Sequence, residues 1–64
     1  MKFSDLSQTT KNSMNDLYRS ANTATIKMAL RMKPNELEEL QQFFGTTDID
    51  TIARRCSLGD YNKD

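Results

Sequence analysis

The stretch TIKMALRMK, residues 25–33, decides how this chain is read. Apolar side chains occupy each even position (Ile26, Met28, Leu30, Met32), while Thr25, Lys27, Ala29, Arg31 and Lys33 fill the odd ones. Alternation of this kind is the pattern of a half-buried strand, although Met, Ala, Leu, Arg and Lys are all good helix formers. Pro34 disfavours a helical conformation for Lys33, so a helix here has to stop by about Met32. On a helix the even residues advance by about 200° a step and scatter around the cylinder, whereas a strand gathers them on one face. The spacing therefore predicts a strand over 25–33, and a lone strand in a helical chain needs a second copy to pair with.

Two helices are expected downstream. In KPNELEELQQFFG, Pro34 suits the first helical turn. Glu36, Glu38 and Glu39 lie near the positive end of the helix dipole, where they read as a solvated face. Leu37, Leu40 and Phe44 share one side, and Gly45 is a natural stop. Thr47 then reads as an N-cap with Asp50 three residues on. Ile49, Ile52, Ala53 and Cys56 form an i, i+3, i+4, i+7 apolar stripe that Gly59 closes, with Leu58 and Tyr61 placed to fold back as a last anchor.

Upstream, 12 of the first 25 residues are Ser, Thr, Asn or Gln, which compete with the helix ladder for backbone hydrogen bonds. Residues 1–24 read as a mobile arm that orders on binding, with one short helix over 13–20 and SANTAT as a linker. Residues 25–61 form the folded domain and 62–64 a tail.

At 64 residues a single core is marginal without a staple or a partner. One cysteine excludes an internal disulfide, and the absence of histidine argues against zinc. Cys56 reads as a small buried apolar residue. No metal or other cofactor is expected. The opening MKFSDLSQ carries no apolar run behind its lysine, and no apolar stretch is long enough to span a bilayer, so the expectation is a cytoplasmic protein without a membrane partner.

Formal net charge is zero, but unevenly spread. Residues 23–33 hold Lys27, Arg31 and Lys33 with no acid, and residues 34–44 hold Glu36, Glu38 and Glu39 with no base. The cations thus sit on the odd positions of the expected strand.

Strand, helix, helix with a basic outer strand face resembles the ribbon–helix–helix family of the Arc and methionine-repressor type, over residues 25–61. LRMKPNELEEL is similar to that family's strand-to-helix junction, and FGTTDIDTIARRC to its turn into the second helix. The resemblance implies a mainly α fold in which one short strand pairs antiparallel with its copy in an intertwined homodimer. It implies a sequence-specific DNA-binding regulator, such as a phage or plasmid repressor or the DNA-binding part of an antitoxin, whose two-stranded ribbon enters the major groove. Thr25, Lys27, Ala29 and Arg31 then face the bases, while Lys33 and the amides near Thr46 and Thr47 hold phosphates. Ile26, Met28, Leu30, Met32, Leu37, Leu40, Phe44, Ile49, Ile52 and Cys56 make the dimer core.

A second reading is a small helical phage or plasmid protein that binds and inhibits a host protein through the apolar residues of its N-terminal arm. Neutral net charge suits this reading; clustered cations suit the first. An enzyme is not expected, because no nucleophile–base pair, metal set or phosphate loop can be assembled.

Overall fold

The computed structural model describes every residue except Ala21 and Asp64. Those two belong to the expected linker and tail, and that part of each expectation lies outside the described residues. A short 3-10 turn over Phe3–Asp5 leads into four helices: α1 (Gln8–Leu17), α2 (Thr23–Arg31), α3 (Pro34–Phe44) and α4 (Ile49–Leu58). Among the described residues there is no strand. The ribbon–helix–helix fold is therefore not what this chain forms, although the mainly α expectation stands.

The correction turns on residues 25–33. Even-numbered residues spaced 200° apart on a helix form two i, i+4 pairs on opposite sides. Ile26 and Leu30 make one pair and are 0% and 2% exposed; Met28 and Met32 make the other and are 62% and 80% exposed. The strand reading required all four to be buried. Burying two suffices for the helix, and the sequence also supplies its ends. Asn22 Oδ1 accepts from the amides of Ala24 (2.9 Å) and Thr25 (3.4 Å), satisfying two of the amides left free at a helix start. Lys33 leaves the helical region at φ −129°, ψ 70°, as a residue before proline tends to.

Upstream, where the arm is expected, the structure places α1 against α3 and α4. It begins at Gln8 rather than near residue 13, with Ser7 as N-cap accepting from the Thr10 amide at 3.2 Å. Leu6 and Met14 are buried and Leu17 packs against the core. The polar residues that argue for an arm have partners here. Glu39 of α3 accepts from the Ser7 amide (2.8 Å), the Ser7 hydroxyl (2.9 Å) and the Thr10 hydroxyl (2.5 Å). Glu36 accepts from the Ser13 hydroxyl at 3.0 Å. Two of the three glutamates read as a solvated face thus hold α1 in place; Glu38 alone is exposed.

The core is one cluster inside a single chain, not a dimer seam. Ile26, Leu30, Leu40, Ile52 and Cys56 of the expected dimer core are buried in it, joined by Leu6, Met14 and Ala53. Leu37, Phe44 and Ile49 are half-buried against it. At one end Phe3 stacks on Tyr61 (6.1 Å between centroids, 14° between planes), and Phe43 and Phe44 meet Tyr61 edge-on at 6.1 and 5.9 Å. These rings cap the bundle where the chain ends meet.

The turns are specific. Gly45 (φ 70°) and Gly59 (φ 68°) cap α3 and α4 in the left-handed region. The α1–α2 connection is tied to α4, the Arg19 amide donating to the Ser57 carbonyl at 2.8 Å and the Ser57 hydroxyl to the Ser20 carbonyl. Tyr18 lies on Gly59, where an added Cβ would come within 2.7 Å of its ring, while nothing lies within 4 Å of a Cβ at Gly45. Both glycine-to-alanine changes incur the left-handed penalty of about 1–2 kcal/mol. Gly59→Ala also displaces Tyr18, so its loss in chemical denaturation is expected to exceed that of Gly45→Ala. Equal losses would mean Tyr18 does not pack on Gly59.

Candidate functional site

The residues expected to read DNA bases do not share a surface. Successive odd positions on a helix are about 200° apart, and each of the four has its own surroundings. Thr25 is exposed near the start of α2. Lys27 Nζ lies 2.6 Å from Asp50 Oδ1 of α4, so its charge is used within the fold. Ala29 is half-buried and lines a small recess with Leu17 and Leu30. Only Arg31 projects to solvent without a salt bridge to an acid among the described residues.

The expected phosphate contacts are also re-placed. Lys33 Nζ lies 3.9 Å from Glu36 Oε2. Thr46 Oγ1 accepts from the Asp48 amide at 3.1 Å and is spent on the turn. Asp48, not Thr47, is the N-cap of α4; its carboxylate accepts from the Asp50 amide (3.2 Å) and the Thr51 hydroxyl (2.7 Å). The Thr51 hydroxyl is the main reason the Asp48 carboxyl is held below the ordinary value. An approaching phosphate meets Asp48 and Asp50 at this helix end, and like charges repel.

What the structure does bring together is the outer face of α2. Ala24, Met28 and Met32 follow one another at i, i+4 and i+8, all exposed, with Arg31 beside them. Rows at i±4 are the ridges that pack into the grooves of a neighbouring helix. Met32 also borders an open recess of about 460 Å³ at the α2–α3 corner, continued by Lys33, Pro34 and Asn35 and closed by Ser7, Thr9, Glu36 and Glu39. Two exposed methionines were in the expected dimer core; Ala24 carried no role in the sequence reading, and its only signal is the four-residue step to Met28.

Cys56 is fully buried, and burial pushes its thiol up to about 11, away from the thiolate that a nucleophile requires. Among the described residues no three His, Cys, Asp or Glu side chains are grouped to hold a metal. No described helix is long and apolar enough to cross a membrane. No protein-family model, curated protein or solved structure matches the chain.

Beside the recess, the Thr10 hydroxyl, then the Ser7 amide, holds the Glu39 carboxyl below its ordinary value of 4.5 against the opposing effect of burial. A carboxylate favoured by the fold adds stability above its unfolded pKa and loses it as pH falls through the folded pKa. Acidification from neutral pH is therefore expected to lower the melting temperature of the parent more steeply than that of Glu39→Gln. Melting curves at stepped pH check this; parallel slopes would remove Glu39 from the acid response.

Proposed function

We propose that the protein is a non-catalytic binding module that occupies a helical surface of another protein through the α2 face. One observation carries the reading: Met28 and Met32, adjacent on one helical ridge, are 62% and 80% exposed, whereas Leu58, which does not fold back as an anchor, stands alone on α4 at 68%. Methionine is flexible and polarizable, and it recurs on surfaces that adapt to a partner. Charge favours one class of occupant. Arg31 has no salt bridge to an acid among the described residues, and the Lys33 side chain is 53% exposed and lies 3.9 Å from Glu36. Apolar ridge and cationic rim together suit an amphipathic helix with carboxylates flanking its apolar side.

This keeps the small helical binding protein and changes its contact surface. The apolar residues of the N-terminal segment, Leu6 and Met14 above all, are spent in the core. A DNA-reading role is the weaker reading for two reasons. The α2 face centres on methionines, where base edges call for hydrogen-bonding side chains. The start of α4 carries two aspartates where a phosphate contact calls for bare amides.

A photo-crosslinking residue at position 28, compared with one at the exposed position 42, tests the reading. The expected result is a protein adduct from position 28 alone. The partner, once identified and purified, should bind Met28→Glu/Met32→Glu more weakly by about 2 kcal/mol or more. Because both side chains are exposed, that variant should melt with the parent. Undiminished binding by the variant, an adduct only to a second copy of the chain, or parent binding to duplex DNA at low salt would overturn the proposal.

A further inference from the structure

A second surface, independent of α2, lies where α1 meets the two chain ends. A recess of about 300 Å³ has an apolar floor of Phe3, Met14 and Tyr61 and a rim that includes Lys11 and Lys63. This volume sits at the small end of ligand pockets. Lys11 Nζ stands 5.6 Å from the Phe3 ring centroid, and Lys63 Nζ stands 5.8 Å from those of both Tyr61 and Tyr18. The ring faces hold the ammonium groups at the rim instead of leaving them free in solvent.

The polar lining is one-sided. Among the described residues no carboxylate borders the recess and neither lysine forms a salt bridge. Gln8 Nε2 donates to Asn12 Oδ1 at 2.9 Å, occupying the Asn12 oxygen and leaving its NH2 group as a donor. Two cations and the side-chain amides of Asn12 and Asn15 thus border one opening above a floor of two stacked rings and a thioether. Like charges held beside a low-dielectric wall attract an anion strongly. Lysine in particular binds phosphate as a point charge.

We propose that this recess binds a small organic phosphate. Its phosphoryl oxygens are held by Lys11, Lys63 and the Asn12 amide, and its carbon body lies on Phe3, Met14 and Tyr61. No bond is made or broken; the site is for binding alone.

Phenyl phosphate, inorganic phosphate and phenol, each titrated into the full chain and followed by amide chemical shifts, separate the two halves of the site. Phenyl phosphate is expected to saturate, with shifts centred on residues 11, 12, 15 and 61. Inorganic phosphate should bind at least tenfold more weakly, and phenol should not saturate. Lys11→Gln/Lys63→Gln should lose at least tenfold in affinity, Lys11→Arg/Lys63→Arg should retain binding, and Lys33→Gln, on another surface, should match the parent. Absence of saturable shifts with phenyl phosphate, or equal binding by the Gln pair in a chain that melts normally, would overturn the site. Equal affinity for inorganic phosphate would overturn the role of the apolar floor. Tighter binding of a single-stranded oligonucleotide, with shifts spreading to Lys2 and Arg55, which with Tyr61 line an adjoining recess, would overturn the small ligand in favour of nucleic acid.

Discussion

Two carboxylates of α3 hold the bundle closed. Glu39 gathers three donors from Ser7 and Thr10, and Glu36 a fourth from Ser13. Hydrogen bonds to charged groups are stronger than neutral ones; the Ser13–Glu36 bond is buried, while the two from Ser7 to Glu39 are exposed and weakened by solvent. They let a helix with little apolar surface pack on the rest of the chain. Once α1 is in place, Leu6, Met14 and Leu17 cover what would otherwise be the open side of Leu40, Ile52 and Cys56. A 64-residue chain is expected to need a staple or a partner because its core is small. With α1 docked, the core closes inside one chain, and among the described residues no buried side-chain nitrogen or oxygen lacks a hydrogen bond.

The same closure decides what α2 shows to solvent. Ile26 and Leu30 meet α3 and α4, and Lys27 is drawn to Asp50 beside them. On the opposite side Met28 and Met32 are left largely uncovered by the described residues, because α1 packs mainly on α3 and α4. Met28 and Met32 are exposed for that reason, and not because the helix is marginal: Asn22 and Lys33 end it cleanly on both sides.

The two C-terminal helices were legible because every signal agreed. Pro34, the glutamates, the Leu37–Leu40–Phe44 side and Gly45 all point to one helix, and the Ile49–Ile52–Ala53–Cys56 stripe with Gly59 points to the next. Residues 25–33 misled because alternation is ambiguous over so short a run: it marks one face of a strand, but equally two opposed i, i+4 pairs of a helix. A strand buries all four apolar side chains and a helix only two, but a folded surface tolerates exposed apolar residues, so the larger number buried does not favour the strand. Asn22, a good N-cap immediately before Thr23, was the local signal that could have tipped the balance. The α1 helix was less legible still. Ser7, Thr10 and Ser13 fall on one side at i, i+3, i+6, but a row of hydroxyls has no periodicity in hydrophobicity. Its meaning depends on Glu36 and Glu39, some 23 to 32 residues away. The candidate surface was visible only in part: Met28, Arg31 and Met32 were singled out, but assigned to opposite faces.

Zero formal charge is the feature most easily misread. It argues against a polyanion binder when charges are scattered, but here the acids and bases are not equally free. Glu36 and Glu39 are engaged with α1, Asp50 with Lys27, Asp48 with the start of α4 and Asp60 with Arg55. Each of those carboxylates has its negative charge partly answered by donors inside the fold. Lys11, Lys63 and Arg31 have no salt bridge among the described residues, and they stand at two surfaces built from different elements. A neutral chain can therefore present cationic contacts, because folding spends several of its acids on holding helices together. This is why the rim of α2 favours a carboxylate-bearing helix, and why the recess beside Tyr61 favours a phosphate, without either requiring a basic protein.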